Sequence, residues 1–183
     1  AQTTLTEDAP LILDATCSFR TKTRWPRFAS IRIDIRAETR PDFVMDARTL
    51  KFPNSYFSEI YCDPPHLFPT LPMSPKIEQF RRLHPQVGKY TMFTHYGYWK
   101  SREEWLDFAK KSTKEFHRCL KPNGLIHYKL TESKKMMPWD ILGLGLFEVV
   151  KHKITKSNGL GKRGEKATSL VHWLTMKPKP CQK

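Results

Sequence analysis

The sequence predicts an α/β domain, an open and mainly parallel sheet that closes on an antiparallel pair of C-terminal strands. Three patterns carry this expectation. Short apolar runs in the first third of the chain end in acids, a capped amphipathic helix leads at once into another strand, and two strand patterns near the C-terminus flank a basic stretch. The 183 residues suit a single domain spanning 1–183.

Taken in order, residues 10–14 form a short apolar run closed by Asp14, a buried-strand pattern. Residues 30–35 alternate apolar and polar, giving a second strand with Asp34 near its end, and residues 43–46 give a third, ending in Asp46. Residues 56–62 give a fourth, which Pro64 and Pro65 terminate because neither can donate to a ladder. Residues 67–100 hold many prolines and aromatics and read as a long loop insertion. Ser101 and the acids behind it form a helix start, and Trp105, Phe108, Phe116 and Leu120 fall on one face of the helix that follows. Residues 121–124, with Pro122 and Gly124, stop that helix before a strand at 125–130. A helical or loop piece over 134–146 precedes strands at 147–154 and 169–176.

Lys and Arg number 32 against 18 acids, a net charge of +14. The excess concentrates in residues 20–40 and 151–166, which fits a polyanion partner or a merely solubilising surface. Contact with acidic membranes fits less well, because no amphipathic apolar helix accompanies the charge. Cys17, Cys62, Cys119 and Cys181 form no close pair, so neither a zinc site nor a disulfide framework is expected. Residues 1–8 are polar and acidic, and no apolar run approaches the ~18–20 residues of a membrane span. A cytoplasmic protein is the expectation.

The acids point to a ligand. Doubly wound sheets bind theirs beyond the carboxyl ends of the strands, where Asp14, Asp34 and Asp46 all fall. A carboxylate there can accept both hydroxyl hydrogens of a ribose; helix caps or turns are the alternative use. The loop Asp14, Ala15, Thr16, Cys17 and onward to Arg20 holds no glycine, which argues against a dinucleotide whose phosphates need free backbone N–H groups. A sulfonium cation suits acids better than a pyrophosphate would.

Asp63, Pro64, Pro65 and His66 supply the chemistry. The amino nitrogen of adenine or cytosine is a poor nucleophile because its lone pair is delocalised into the ring. Two acceptors holding its hydrogens draw it toward tetrahedral geometry. The Asp63 carboxylate and the Pro64 carbonyl can be those acceptors, and the ring of His66 can stack on the base. A turn after a strand is the simpler alternative.

These residues resemble the class I S-adenosylmethionine-dependent methyltransferases, in particular their amino-methylating nucleic-acid branch and its small bacterial and phage members. The resemblance runs through residues 14–18, Asp34-Ile35-Arg36, Met45 to Arg48, Asp63 to Leu67, Lys89-Tyr90, Leu120 to Gly124, Lys129 to Glu132, Gly161-Lys162-Arg163 and His172-Trp173. It implies a Rossmann-like methyltransferase fold with S-adenosyl-L-methionine as cofactor. Asp14, Ala15, Thr16, Cys17, Asp34, Asp46 and Ala47 would contact that cofactor, and Asp63 to His66 would form the transfer site. Ser18 stands where relatives carry glycine, and His66 where they more often carry Tyr, Phe or Trp.

On the substrate side the residues expected are Lys89, Tyr90, Tyr96, Lys129, Lys162 and Arg163. Basic residues interleaved with aromatics suit phosphate contact and base stacking. No stretch is long enough for a separate duplex-reading domain, which favours RNA such as ribosomal RNA over DNA. A binding protein of this fold without catalysis is a further alternative.

Overall fold

The computed structural model describes residues 10–16, 28–66, 68, 97–156 and 169–180. Among these residues seven strands form one sheet: β1 (Ile12–Asp14), β2 (Ile31–Asp34), β3 (Phe43–Val44), β4 (Phe57–Cys62), β5 (Leu120–Thr131), β6 (Phe147–Lys156) and β7 (Leu170–Pro178). Their order is β3-β2-β1-β4-β5-β7-β6. This is the doubly wound order 3-2-1-4-5-6 with one strand slipped in next to the end. Neighbours from β3 through β5 pair in parallel, while β7 is antiparallel to both β5 and β6. The expected C-terminal hairpin is therefore present, and its second strand lies inside the sheet, leaving β6 at the edge.

The 18-residue helix α1 (Arg102–Cys119) covers one face. Ser101 caps it by accepting from Glu104 N, and the Glu104 carboxylate reaches back to Lys100 N. Trp105, Phe108, Ala109, Ser112, Thr113, Phe116 and Cys119 are buried, the spacing of one helical face. Its apolar members pack with Leu13, Ile33, Ile60, Ile126, Tyr128, Leu130, Leu174 and Met176 in the main core. A smaller cluster, Ile12, Ala29 and Tyr61, lies apart from it. Among the described residues no helix is long and apolar enough to cross a membrane.

The helix-to-strand junction is tighter than the sequence suggests. Leu120 is both the C-cap of α1 and the first residue of β5, so no loop intervenes. The helix ends where expected, and residues 121–124 form a bulge at the start of the strand, between the pairs Phe57↔Leu120 and Glu59↔Leu125. A single one-turn helix, α2 (Trp139–Leu142), answers the helical or loop piece expected over 134–146. The first three strands are shorter than their sequence patterns.

Gly124 sits where a side chain has no room. A Cβ there would lie 2.8 Å from the Ser58 carbonyl oxygen and 2.8 Å from Leu120 Cγ. Gly124→Ala should therefore lower the unfolding free energy by about 1–3 kcal/mol, the usual range for overpacking. Urea denaturation reads this directly; an unchanged midpoint would show that the bulge relaxes freely.

Candidate active site

Parallel register gathers the acids. Asp14 pairs with Arg32 on one side and Tyr61 on the other, and Asp34 pairs with Val44. Asp14 ends β1, Asp34 ends β2, Asp46 lies two residues past β3 and Asp63 lies one past β4. Four carboxylates thus stand along the carboxyl edge of four adjacent strands, the side on which such sheets bind ligands.

The loop after β1 is stitched to the end of β4. Ala15 N donates to the Tyr61 carbonyl, and Asp63 N donates to Thr16 Oγ1, each at 2.8 Å. Asp14 is buried and accepts from Thr16 N at 3.4 Å.

Asp34 and Asp46 share one device. Each accepts at Oδ1 from the backbone N–H two residues on, at 2.9 Å, and from the Nε of that same residue, Arg36 or Arg48, at 3.1 Å. A second guanidinium nitrogen reaches Oδ2 in both, at 3.2 Å for Asp34 and 2.7 Å for Asp46. Buried carboxylates need such partners. Burial alone would raise the Asp46 carboxyl, but the hydrogen bonds and charge of Arg48 outweigh it and hold the group below its ordinary range. Arg48 also reaches Asp107 on α1 at 3.1 Å, so Asp46 helps tie the loop to the helix.

At the transfer end, Cys62 pairs with Tyr128, which sets Asp63 beside Lys129 on β5. The Lys129 ammonium lies 2.6 Å from Asp63 Oδ2 and 5.5 Å from the Trp173 ring centre. Trp173 Nε1 in turn donates to Thr155 Oγ1 on β6 at 3.1 Å. Among the described residues, Asp63 Oδ1 and the Pro64 carbonyl accept no hydrogen bond. The Pro65 carbonyl is taken by Trp99 Nε1 at 2.5 Å, and Trp99 packs on Trp105 and Phe108. Gly97, at φ +74°, lets the chain pass close: a Cβ there would meet Pro65 Cγ at 3.2 Å. Burial lowers the pKa of His66; the charge of Asp63 opposes this and that of Lys129 adds to it.

The structure thus brings Asp14, Ala15, Thr16, Asp34, Asp46 and Ala47 to one sheet edge together with Asp63 to His66 and Lys129. Cys17, Lys89, Tyr90, Tyr96, Lys162 and Arg163 lie outside the described residues. Sequence reasoning missed the partners: Arg36 and Arg48, Trp99, Trp173, and the link between Lys129 and Asp63. The repeat of an acid followed two residues later by arginine, at 34/36 and 46/48, was a usable signal for the first two.

The donor set fits a cationic nucleoside. Carboxylates accept hydroxyl hydrogens and stabilise a sulfonium, and three hydrogen bonds to Asp34 leave about one of its roughly four lone-pair positions free.

No protein-family model and no curated protein matches the chain. Solved structures do. The chain is similar to TrmN from Thermus thermophilus, with a TM-score of 0.50 and 13% identity over 93% of this chain and 44% of that one. It is also similar to a SAM-dependent methyltransferase from Methanosarcina mazei, with a TM-score of 0.50 and 14% identity over 94% of this chain and 93% of that one. At such identities the likeness is one of fold, and the fold is the Rossmann-like one of these methyltransferases.

His66 offers a test of the site's burial. Its folded pKa lies below the ordinary 6.5, so the unfolded chain takes up the proton first. Stability tied to this group is intact above about 6.5 and is lost as pH falls from there through the folded value. Proton NMR of the His66 ring should give a midpoint below 6.5. A midpoint at or above 6.5 would mean that the ring is solvated or that Asp63 dominates its surroundings.

Proposed function

We propose that this protein is an S-adenosylmethionine-dependent methyltransferase acting on the exocyclic amino group of a base, N4 of cytosine or N6 of adenine, in nucleic acid, with RNA favoured over DNA. The observation that carries the reading is the division of labour around Asp63. Lys129 holds Oδ2, which leaves Oδ1 to accept one amino hydrogen, and the Pro64 carbonyl is available for the other. Trp99 holds the Pro65 carbonyl and so fixes the backbone that presents them.

Asp14 and Asp34 would hold the cofactor, with Asp46 and Ala47 at its far end along the sheet edge. When bound, it supplies an electrophilic methyl group. The residues of this chain do the rest. Asp63 and Pro64 localise the lone pair on the amino nitrogen by accepting its hydrogens, and His66, uncharged near neutral pH, offers a face to the base. Lys129 keeps the carboxylate aimed. Positioning and fixed electrostatics supply the acceleration. A paired base would have to be flipped out to reach this site. The net charge of +14 and exposed Lys151, Lys153 and Lys156 on β6 support a polyanionic substrate. The same edge lysines also suit an unpaired strand that must resist aggregation.

Two variants test the assignment. Asp63→Ala should abolish methyl transfer to nucleic acid and leave calorimetric affinity for S-adenosylmethionine nearly unchanged. Equal loss of both would move Asp63 into the cofactor pocket. Lys129→Met should reduce kcat by about 100-fold, the cost of a misaimed reacting group, again with cofactor affinity retained. Unchanged turnover would remove Lys129 from the mechanism.

A further inference from the structure

The segment after β5 is pinned on both sides of an exposed indole. Asp140, its side chain 6% exposed, accepts from Arg102 Nη1 and Nη2 at 3.2 and 2.8 Å, from Trp105 Nε1 at 2.8 Å and from Met137 N at 2.9 Å. Burial would raise that carboxyl, but these bonds outweigh it and hold it low. Arg102 also donates to the Lys135 carbonyl at 2.8 Å, and Met136 and Ile141 are buried. Trp139, between these anchors, is 62% exposed.

A Trp side chain is among the largest apolar groups a chain can bury. Here the turn is fixed to the core through its neighbours, and the indole is held out in water. The charge beside it is positive: Lys134 and Lys135 are exposed. The segment also touches the chain just beyond the transfer site: the Lys135 ammonium lies 5.6 Å from the ring centre of Phe68, two residues past His66. A rigid aromatic face beside ammonium groups is the construction that binds single-stranded nucleic acid, the ring stacking on a base and the cations meeting phosphates.

We propose that Trp139 is a stacking platform for an unpaired nucleotide next to the methylated base, with Lys134 and Lys135 on the adjoining phosphates. This rests on the nucleic-acid reading above. It gives that reading a second point of attachment, outside the chemistry and outside the insertion at 67–100.

The test is fluorescence anisotropy of a short labelled single-stranded RNA of mixed sequence titrated with the full chain. Trp139→Ala should weaken binding roughly tenfold or more, the scale of one missing base stack, and Trp139→Phe should recover most of it. Changing Lys134 and Lys135 together to Ala should flatten the salt dependence, by about 0.7 in log–log slope for each phosphate left without its lysine. Urea midpoints for the variants should match the parent, since the Trp139 indole stands mostly in solvent. Wild-type binding with no change in Trp139→Ala overturns the platform alone. No RNA binding by the wild type overturns the platform and the preference for RNA together.

Discussion

The site depends on the parallel pairing of β4 between β1 and β5. That register sets Asp63 against the β1 loop on one side and Lys129 on the other. The backbone bond from Asp63 to Thr16 and the ion pair from Lys129 follow from it. A one-residue slip would turn Lys129 to the opposite face and leave Asp63 without its partner. Two glycines allow close approaches to this strand and the segment after it. Gly124 admits the bulge that keeps β5 in step with β4, and Gly97 lets the returning chain press on Pro65.

Charge management is the second theme. A carboxyl edge lined with four acids would repel itself in a half-buried setting. Among the described residues the chain sets Arg36 against Asp34, Arg48 against Asp46 and Lys129 against Asp63. The arrangement limits the local negative charge and fixes the direction of each carboxylate. On the proposed reading it also sets the conditions of use. A ribose must share Asp34 with Arg36, and an amino group must take the oxygen that Lys129 leaves.

Much of this was legible in the sequence. Alternation in 30–35, the Pro-Pro stop and the Ser101 cap each report a local constraint, so strands and helix fall close to where those patterns put them. The acids were legible because strand ends in a doubly wound sheet are where ligands bind. What stayed hidden is non-local. Nothing near Asp63 names Lys129, 66 residues away, and nothing near Pro65 names Trp99. The position of β7 between β5 and β6 is a choice that hairpin patterning leaves open. Residues 121–124 follow the end of the helix as expected, but they belong to β5, where Gly marks a bulge as well as a stop. Trp139 was hidden for a different reason: a single tryptophan in a short helical piece reads as core until its neighbours are seen to hold the anchors.

The site of methyl incorporation tests the role of Asp63 and Pro64 most directly. The protein, S-adenosylmethionine with a deuterated methyl group and cellular RNA or DNA would be incubated together, and the nucleic acid digested for nucleoside mass spectrometry. Amino-group methylation puts the label on the exocyclic amine of cytidine or adenosine, or of the deoxynucleosides if DNA is the substrate. Label confined to ring carbons, ring nitrogens or ribose, or no label in nucleic acid at all, would contradict it.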